Sequence, residues 1–188
     1  MFGAKRKIKS DEQLMQAICN GNQQAFNQLY DRYKERLYYY FYRMLGNSEA
    51  LANDFLQDVF LKIIEKPSRF NPDFPFKTWI FSVAYNLCKN EYRRREVRQE
   101  KLDKEQLVKP VIPHLVSQDE LISRIFESLD ALSQEHRSVF LMHYREGFPI
   151  KEIADMLGIA PGTVKSRLFN TRRYLAEKFQ HLKGEFEF

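Results

Sequence analysis

Apolar residues recur along this chain three and four positions apart, and no stretch alternates apolar with polar for long, so the pattern predicts an all-α protein. A first helix is expected over about 11–20, capped by Asp11 and stopped at Asn20-Gly21-Asn22. A long second helix, Gln23 to Leu45, should end at Gly46-Asn47, and Ser48 then caps a third that runs to about Glu65. Lys66-Pro67 breaks it. Ser68 to Pro75, with Pro72 and Pro75, reads as an ordered loop, followed by a fourth helix from about Phe76 to Arg95.

From Glu96 to Ser117 the periodicity fades, charges of both signs mix, and Pro110 and Pro113 interrupt any helix. The segment has the character of a flexible linker. The expected organisation is therefore two small helical domains, 1–95 and 118–188, joined by residues 96–117. The second is read as a four-helix unit: a helix at about 118–128, one from Ser133 to Glu146, and a helix-turn-helix over 150–173.

In that last segment Ile153, Ala154 and Leu157 form an apolar stripe, and Gly158 stands where a tight turn needs a residue without Cβ. Pro161 suits the first turn of the next helix, where a missing N–H costs nothing. Val164 and Leu168 would be buried opposite Lys165, Ser166 and Arg167, which turns a face rich in hydrogen-bond donors outward. Such a face suits DNA. Two amphipathic helices joined at a glycine also occur in many all-α domains, so the motif alone leaves both readings open.

Composition narrows the choice. The 188 residues carry 30 Lys plus Arg against 25 Asp plus Glu, a net charge of +5 that suits a polyanionic partner. The cations are clustered: Lys5, Arg6, Lys7 and Lys9 in an N-terminal arm, Arg93, Arg94, Arg95 and Arg98 near the linker, and Lys165, Arg167, Arg172 and Arg173 near the end. Cys19 and Cys88 form neither a disulfide framework nor a zinc-spaced pair, which suggests a reducing, cytoplasmic setting. No apolar run is long enough for a membrane span or a signal peptide, so no membrane insertion is expected. His114, His136, His143 and His181 make no metal-spaced set with carboxylates, and neither a phosphate loop nor a nucleophile motif occurs. Neither a metal, a cofactor nor catalysis is expected.

The 16 Phe, 10 Tyr and one Trp gather mainly in residues 26–92, and most should be core. The stretch Phe70-Asn71-Pro72-Asp73-Phe74-Pro75-Phe76-Lys77-Thr78-Trp79-Ile80 is different, because it joins a rigid loop to an aromatic and basic helix start. Single-stranded nucleic acid is held by stacking on aromatic faces with cations along the phosphates, and an extruded base needs a shaped pocket. Trp79, Val83, Asn86, Asn90 and Arg93 share one side of the fourth helix, mixing an indole with amides and a guanidinium that can meet base edges. A core anchor is the plainer reading of Trp79. On the third helix Asn53, Asp54, Gln57, Asp58 and Lys62 lie opposite Leu56, Val59, Phe60 and Ile63. This acidic, amide-rich face is either solvated surface or a docking face for a protein.

These segments, in this order, resemble the extracytoplasmic-function sigma factors of bacterial RNA polymerase. Ala52-Asn53-Asp54-Phe55-Leu56-Gln57-Asp58-Val59-Phe60-Leu61-Lys62 is similar to the segment by which that family binds the polymerase clamp helices. Phe76-Lys77-Thr78-Trp79-Ile80, Ala84-Tyr85-Asn86-Leu87 and Arg93-Arg94-Arg95 resemble its promoter-melting, −10-reading helix, and Gly162-Thr163-Val164-Lys165-Ser166-Arg167-Leu168 its −35-reading helix. The resemblance implies core polymerase, promoter DNA and an anti-sigma factor as partners, with 1–95 as region 2 and 118–188 as region 4. Asn53, Asp54, Gln57 and Asp58 would bind polymerase. Phe70, Asn71, Phe74, Lys77, Trp79, Asn86, Asn90 and Arg93 would serve the −10 element and melting. Thr163, Lys165, Ser166, Arg167, Phe169, Asn170 and Arg173 would serve the −35 element.

Four positions depart from the usual pattern of that family: Ala160 in place of a capping Ser or Thr, Asn90 in place of Asp, Asn170 in place of a basic residue, and His143 where some relatives carry Arg. A regulator that binds DNA alone as a dimer is the competing class. Tight binding of free protein to duplex promoter would favour it.

Overall fold

The computed structural model describes residues 9–99 and 124–180, and every regular element among them is helical. The helices are α1 (Asp11–Cys19), α2 (Gln23–Met44), α3 (Glu49–Glu65), α4 (Phe76–Gln99), α5 (124–128), α6 (Gln134–Phe140), α7 (Ile150–Leu157) and α8 (Pro161–Lys178). The basic arm at Lys5, Arg6 and Lys7, most of the expected linker, the expected helix start at 118–123 and His181 lie outside the described residues.

Local chemistry sets the ends of the first three helices. Ser10, rather than Asp11, caps α1: its hydroxyl accepts the Gln13 N–H at 3.2 Å while the Gln13 side chain accepts the Ser10 N–H at 3.0 Å, a reciprocal capping box. Asn22 Oδ1 accepts the Ala25 N–H at 3.0 Å, and Ser48 Oγ accepts that of Leu51 at 3.3 Å. Between α2 and α3, Gly46 and Asn47 take φ of +75° and +60°, a left-handed pair for which Gly and Asn are the fitting residues. The loop after α3 begins with a single 3-10 turn, Pro67–Arg69. α4 continues to Gln99 instead of stopping near Arg95, since the charged residues that follow are good helix formers and no breaker intervenes.

The chain divides into two compact units inside α4, the first ending at Ala84 and the second starting at Tyr85. In the first, α2 is the spine. Leu29, Tyr33, Leu37, Tyr40, Phe41 and Met44 are buried along one stripe of it, against Leu14 and Met15 of α1, Leu56, Val59, Phe60 and Ile63 of α3, and Phe76, Ile80 and Phe81 of α4. Each such side chain contributes about 1.5–3 kcal/mol on burial. Edge-on ring pairs, Tyr40 with Phe81 at 5.7 Å and Tyr33 with Phe76 at 5.2 Å, add directional packing.

α1 also reaches the start of α4 through a polar contact. Glu12 Oε1 accepts the Phe76 N–H at 3.1 Å, across 64 positions of sequence. That hydrogen bond, aided by the Glu12 N–H and the Ser10 hydroxyl and opposed by burial, holds the Glu12 carboxyl below its ordinary value of 4.5.

In the second unit the chain between α5 and α6 is organised by a buried Arg137. Its Nε donates to the Leu129 carbonyl at 3.0 Å and its Nη2 to those of Asp130 at 2.8 Å and Leu132 at 3.2 Å. The helix expected from Ser133 to Glu146 is α6 followed by a π turn, Leu141–Arg145. There Glu146 N–H reaches back to the Leu141 carbonyl at 3.1 Å, and the widened turn leaves Leu141 and Met142 buried while His143 Nδ1 meets the Phe148 carbonyl at 3.0 Å. Gly158, with φ of +65°, ends α7 in the left-handed conformation, as the sequence requires.

Two measurements test these supports. Replacing Arg137 with Ala strips three carbonyls of their donor, and the full chain should lose about 3 kcal/mol in urea denaturation followed by circular dichroism. Arg137→Lys should recover little, because one ammonium cannot span all three. A loss under about 0.5 kcal/mol would show that water replaces the guanidinium freely.

The lowered value of Glu12 means that the folded chain binds this proton less tightly than the unfolded one. Its contribution is therefore full well above pH 4.5 and disappears as pH falls through the lower folded value. The stability gap between wild type and Glu12→Gln should be steady at neutral pH and close in acid. A gap unchanged down to about pH 3 would contradict the assignment.

Candidate nucleic-acid interface

α8 sorts its residues cleanly between two faces. Val164, Leu168, Thr171 and Leu175 are buried, whereas Lys165, Ser166, Phe169, Asn170, Arg172 and Arg173 are exposed and Thr163 and Arg167 are half-buried. Every residue the sequence assigns to −35 recognition thus lies on or beside the open face. Pro161 occupies the first turn, and Ala160 stands at the N-cap with no side-chain bond, as its chemistry dictates.

Two details shape that surface. Ser166 Oγ donates to the Thr163 carbonyl at 3.0 Å, which fixes the hydroxyl and turns its lone pairs outward. The Phe169 ring is 57% exposed, unusual for phenylalanine, and the Arg173 guanidinium lies 6.0 Å from its centre. The open face therefore offers an ammonium, a hydroxyl, an amide, an aromatic ring and a guanidinium together. These are the groups that meet base edges, thymine methyls and phosphates.

In the first unit the loop before α4 is held by its own side chains. Asn71 Oδ1 accepts the Asp73 N–H at 3.0 Å and the Asn71 carbonyl accepts that of Phe74 at 3.2 Å, so Asn71 folds residues 71–74 into a turn. Phe74 is left at its tip, 58% exposed. Phe70, expected to serve DNA, is instead buried. Its ring stands edge-on to Phe76 at 5.6 Å and to Trp79 at 5.5 Å, because an apolar ring beside Phe76 gains more from the core than from water. Trp79 is half-buried, packed against Phe70 and against Phe76 at 5.7 Å, so the core reading and the exposed reading each hold for part of the indole. Lys77 is also half-buried. Farther along α4, Asn86, Asn90 and Arg93 are exposed.

On α3 the four residues expected to meet polymerase, Asn53, Asp54, Gln57 and Asp58, are all exposed, opposite buried Leu56, Val59, Phe60 and Ile63. Sequence reasoning missed their continuation: Leu61 at 49% and Ile64 at 53% exposure follow Asp54 and Gln57 by seven positions each, on the same face. Two exposed aliphatics at helical spacing were the available signal. Glu12 was missed too, since nothing local to it points to Phe76.

Among the described residues no group of His, Cys, Asp and Glu could hold a metal ion, and no helix is long and apolar enough to cross a membrane. Burial pushes the Cys88 thiol far up from its ordinary range, which makes it a poor nucleophile.

Comparison with known proteins gives these surfaces a family. Residues 29–98 match the model for Sigma-70 region 2 and residues 122–175 that for Sigma-70, region 4. The chain is 30% identical to the RNA polymerase sigma factor CarQ of Myxococcus xanthus over 92% of its own length and 97% of the relative's. It is also 30% identical to the ECF RNA polymerase sigma factor SigW of Bacillus subtilis (strain 168), over 88% and 94%. The fold is shared with the sigma factor RpoE of Bartonella quintana, solved in complex with the anti-sigma factor NepR, at a TM-score of 0.68 and 24% identity, covering 82% of this chain and 96% of that one. With both regions present in order and relatives matched nearly end to end, the chain belongs to the extracytoplasmic-function sigma factors of bacterial RNA polymerase.

Proposed function

We propose a residue-level division of labour for a chain that, as a sigma factor, directs promoter-specific transcription initiation and is not an enzyme. The observation that carries it is the sorting of α8, whose apolar residues are all inside and whose candidate readers are all at the surface. α8 lies in the major groove of the −35 element, with Lys165, Ser166, Phe169 and Asn170 toward the base edges. Thr163, Arg167, Arg172 and Arg173 meet phosphate. The polar contacts set sequence preference, and the cations supply affinity that weakens with salt.

The first unit acts on the −10 element. Asn71 and Phe74 form the mouth of a pocket for a nontemplate base flipped out of the duplex, with buried Phe70 as its floor. Trp79 fills the space the base leaves, and Lys77, Asn86, Asn90 and Arg93 track the strands along α4. Binding energy, rather than a covalent step, opens the DNA. The acidic α3 face, Asn53, Asp54, Gln57 and Asp58, docks on a basic surface of core polymerase. The protein works in the cytoplasm, where polymerase and chromosome are. An anti-sigma factor holds it inactive, a reading supported by the RpoE and NepR complex of the shared fold.

Reversing the charge at one exposed docking position tests the first contact. Asp54→Arg should weaken holoenzyme assembly about a hundredfold or more while leaving the circular dichroism spectrum intact. Assembly at wild-type strength would remove Asp54 from the interface. For melting, Trp79→Ala should lower permanganate reactivity of −10 thymines about tenfold or more with closed complexes preserved, in line with the stabilisation one base stack provides. Normal reactivity would make Trp79 a core residue alone.

A further inference from the structure

We infer that Glu12, on the first helix and far from any DNA-facing side chain, is a positioning residue for the DNA-opening end of α4. The inference rests on the reading of Trp79 and the 70–74 loop given above. It starts from what α4 lacks. The Trp79 N–H donates to the Pro75 carbonyl at 3.1 Å, which places Pro75 at the N-cap, and a proline has no side-chain acceptor to close the first turn. The acceptor comes from another helix: Glu12 Oε1 takes the Phe76 N–H at 3.1 Å. A carboxylate is suited to that place, because the helix N-terminus carries partial positive charge.

The neighbouring residue grips the same phenylalanine from the other side. Asp11 accepts the Tyr33 phenol through Oδ2 and the Arg32 guanidinium through Oδ1 at 2.5 Å, and the Tyr33 ring stands edge-on to Phe76 at 5.2 Å. Two adjacent carboxylates on α1 therefore act on Phe76, one through its main chain and one by way of Tyr33. α1 is itself pinned by its capping box and by the burial of Leu14 and Met15.

Phe76 passes this constraint on. It touches Phe70 and Trp79, and those two touch each other, so the three rings form a closed triangle with sides of 5.6, 5.7 and 5.5 Å. The body of α4 is secured separately by Ile80, Phe81 and Ala84. Loss of the Glu12 acceptor should thus loosen the first turn, and with it Trp79 and the loop, without dismantling the helix. Glu12 itself meets no DNA; it sets where the residues that do are held.

The full-length protein, assembled with core polymerase on a promoter, provides the test. Glu12→Ala should reduce permanganate-detected opening about fivefold to tenfold, the scale of a lost helix cap, with holoenzyme assembly and duplex binding within about twofold of wild type. Glu12→Gln keeps a side-chain oxygen acceptor and should restore opening to within about threefold of wild type. Trp79 is the only tryptophan of the chain, so its fluorescence reports the site directly. Acrylamide should quench it more readily in Glu12→Ala than in wild type or Glu12→Gln.

Normal opening by Glu12→Ala would overturn the inference. So would equal defects in both variants, which would mean that the charge itself is used, or a parallel fall in assembly, which would mean general damage. Should wild type fail to open the promoter, the reading of Trp79 and the loop fails instead. In that case the quenching comparison still decides whether Glu12 holds Trp79 in place.

Discussion

The burial of Phe76 is the constraint around which the first unit is arranged. This residue is the first of α4, and it lies at 0% exposure between Tyr33 of α2, Phe70 of the preceding loop and Trp79 one turn later. A ring of that size removed from water on every side fixes the entry angle of the helix that carries it, and a packed interior leaves little room for alternatives. The proline loop cannot drift without pulling Phe70 from the cluster, and α4 cannot rotate without exposing Phe76. The candidate DNA surface of this unit is therefore the outer side of its core, sharing rings with it. Trp79, half in and half out, is where the two meet.

The second unit solves a different problem with a shorter inventory. Its helices are brief, and α7 and α8 present only narrow apolar stripes, so packing alone has less to work with. Arg137 supplies a polar fastening in place of a larger core: a single buried guanidinium gathers the carbonyls of Leu129, Asp130 and Leu132 and so shapes the turn that leads into α6. Gly158 then sets the bend between α7 and α8. With the inner side of α8 committed to Val164, Leu168, Thr171 and Leu175, its outer side is free to be as polar as recognition requires.

What could be read in advance divides by range. Features that depend on neighbours within one helical turn were legible: the Ser48 cap, the Gly158 bend, Pro161 in a first turn, the inward stripe of α3 and the outward set on α8. Even locally, the side chain that captures a free N–H was misplaced by one residue, Ser10 for Asp11, because both can cap and only the path of the chain decides between them. Features that depend on distant partners were not legible. Phe70 and Phe74 are chemically identical and four positions apart, yet one is core and the other is solvent-exposed, according to which side of the Asn71 turn faces Phe76. Arg137 appeared to be one cation among 30, and the contact of Glu12 with Phe76 spans 64 positions. The exposed Leu61 and Ile64 were hidden for another reason: a helical stripe two faces wide looks, in sequence, like a thicker core.

The π turn at Leu141–Arg145 has a consequence for how this sequence can vary. A turn closed by a bond from Glu146 to Leu141 holds one residue more than an α-helical turn needs. One residue can be lost there with a continuous helix as the result, and nothing upstream need change. Everything from Phe148 onward would then be turned by about 100° about the helix axis. Relatives differing by a single deletion at this point would keep their helices and yet aim α7 and α8 in another direction, a change of reading head made by length instead of by side chain.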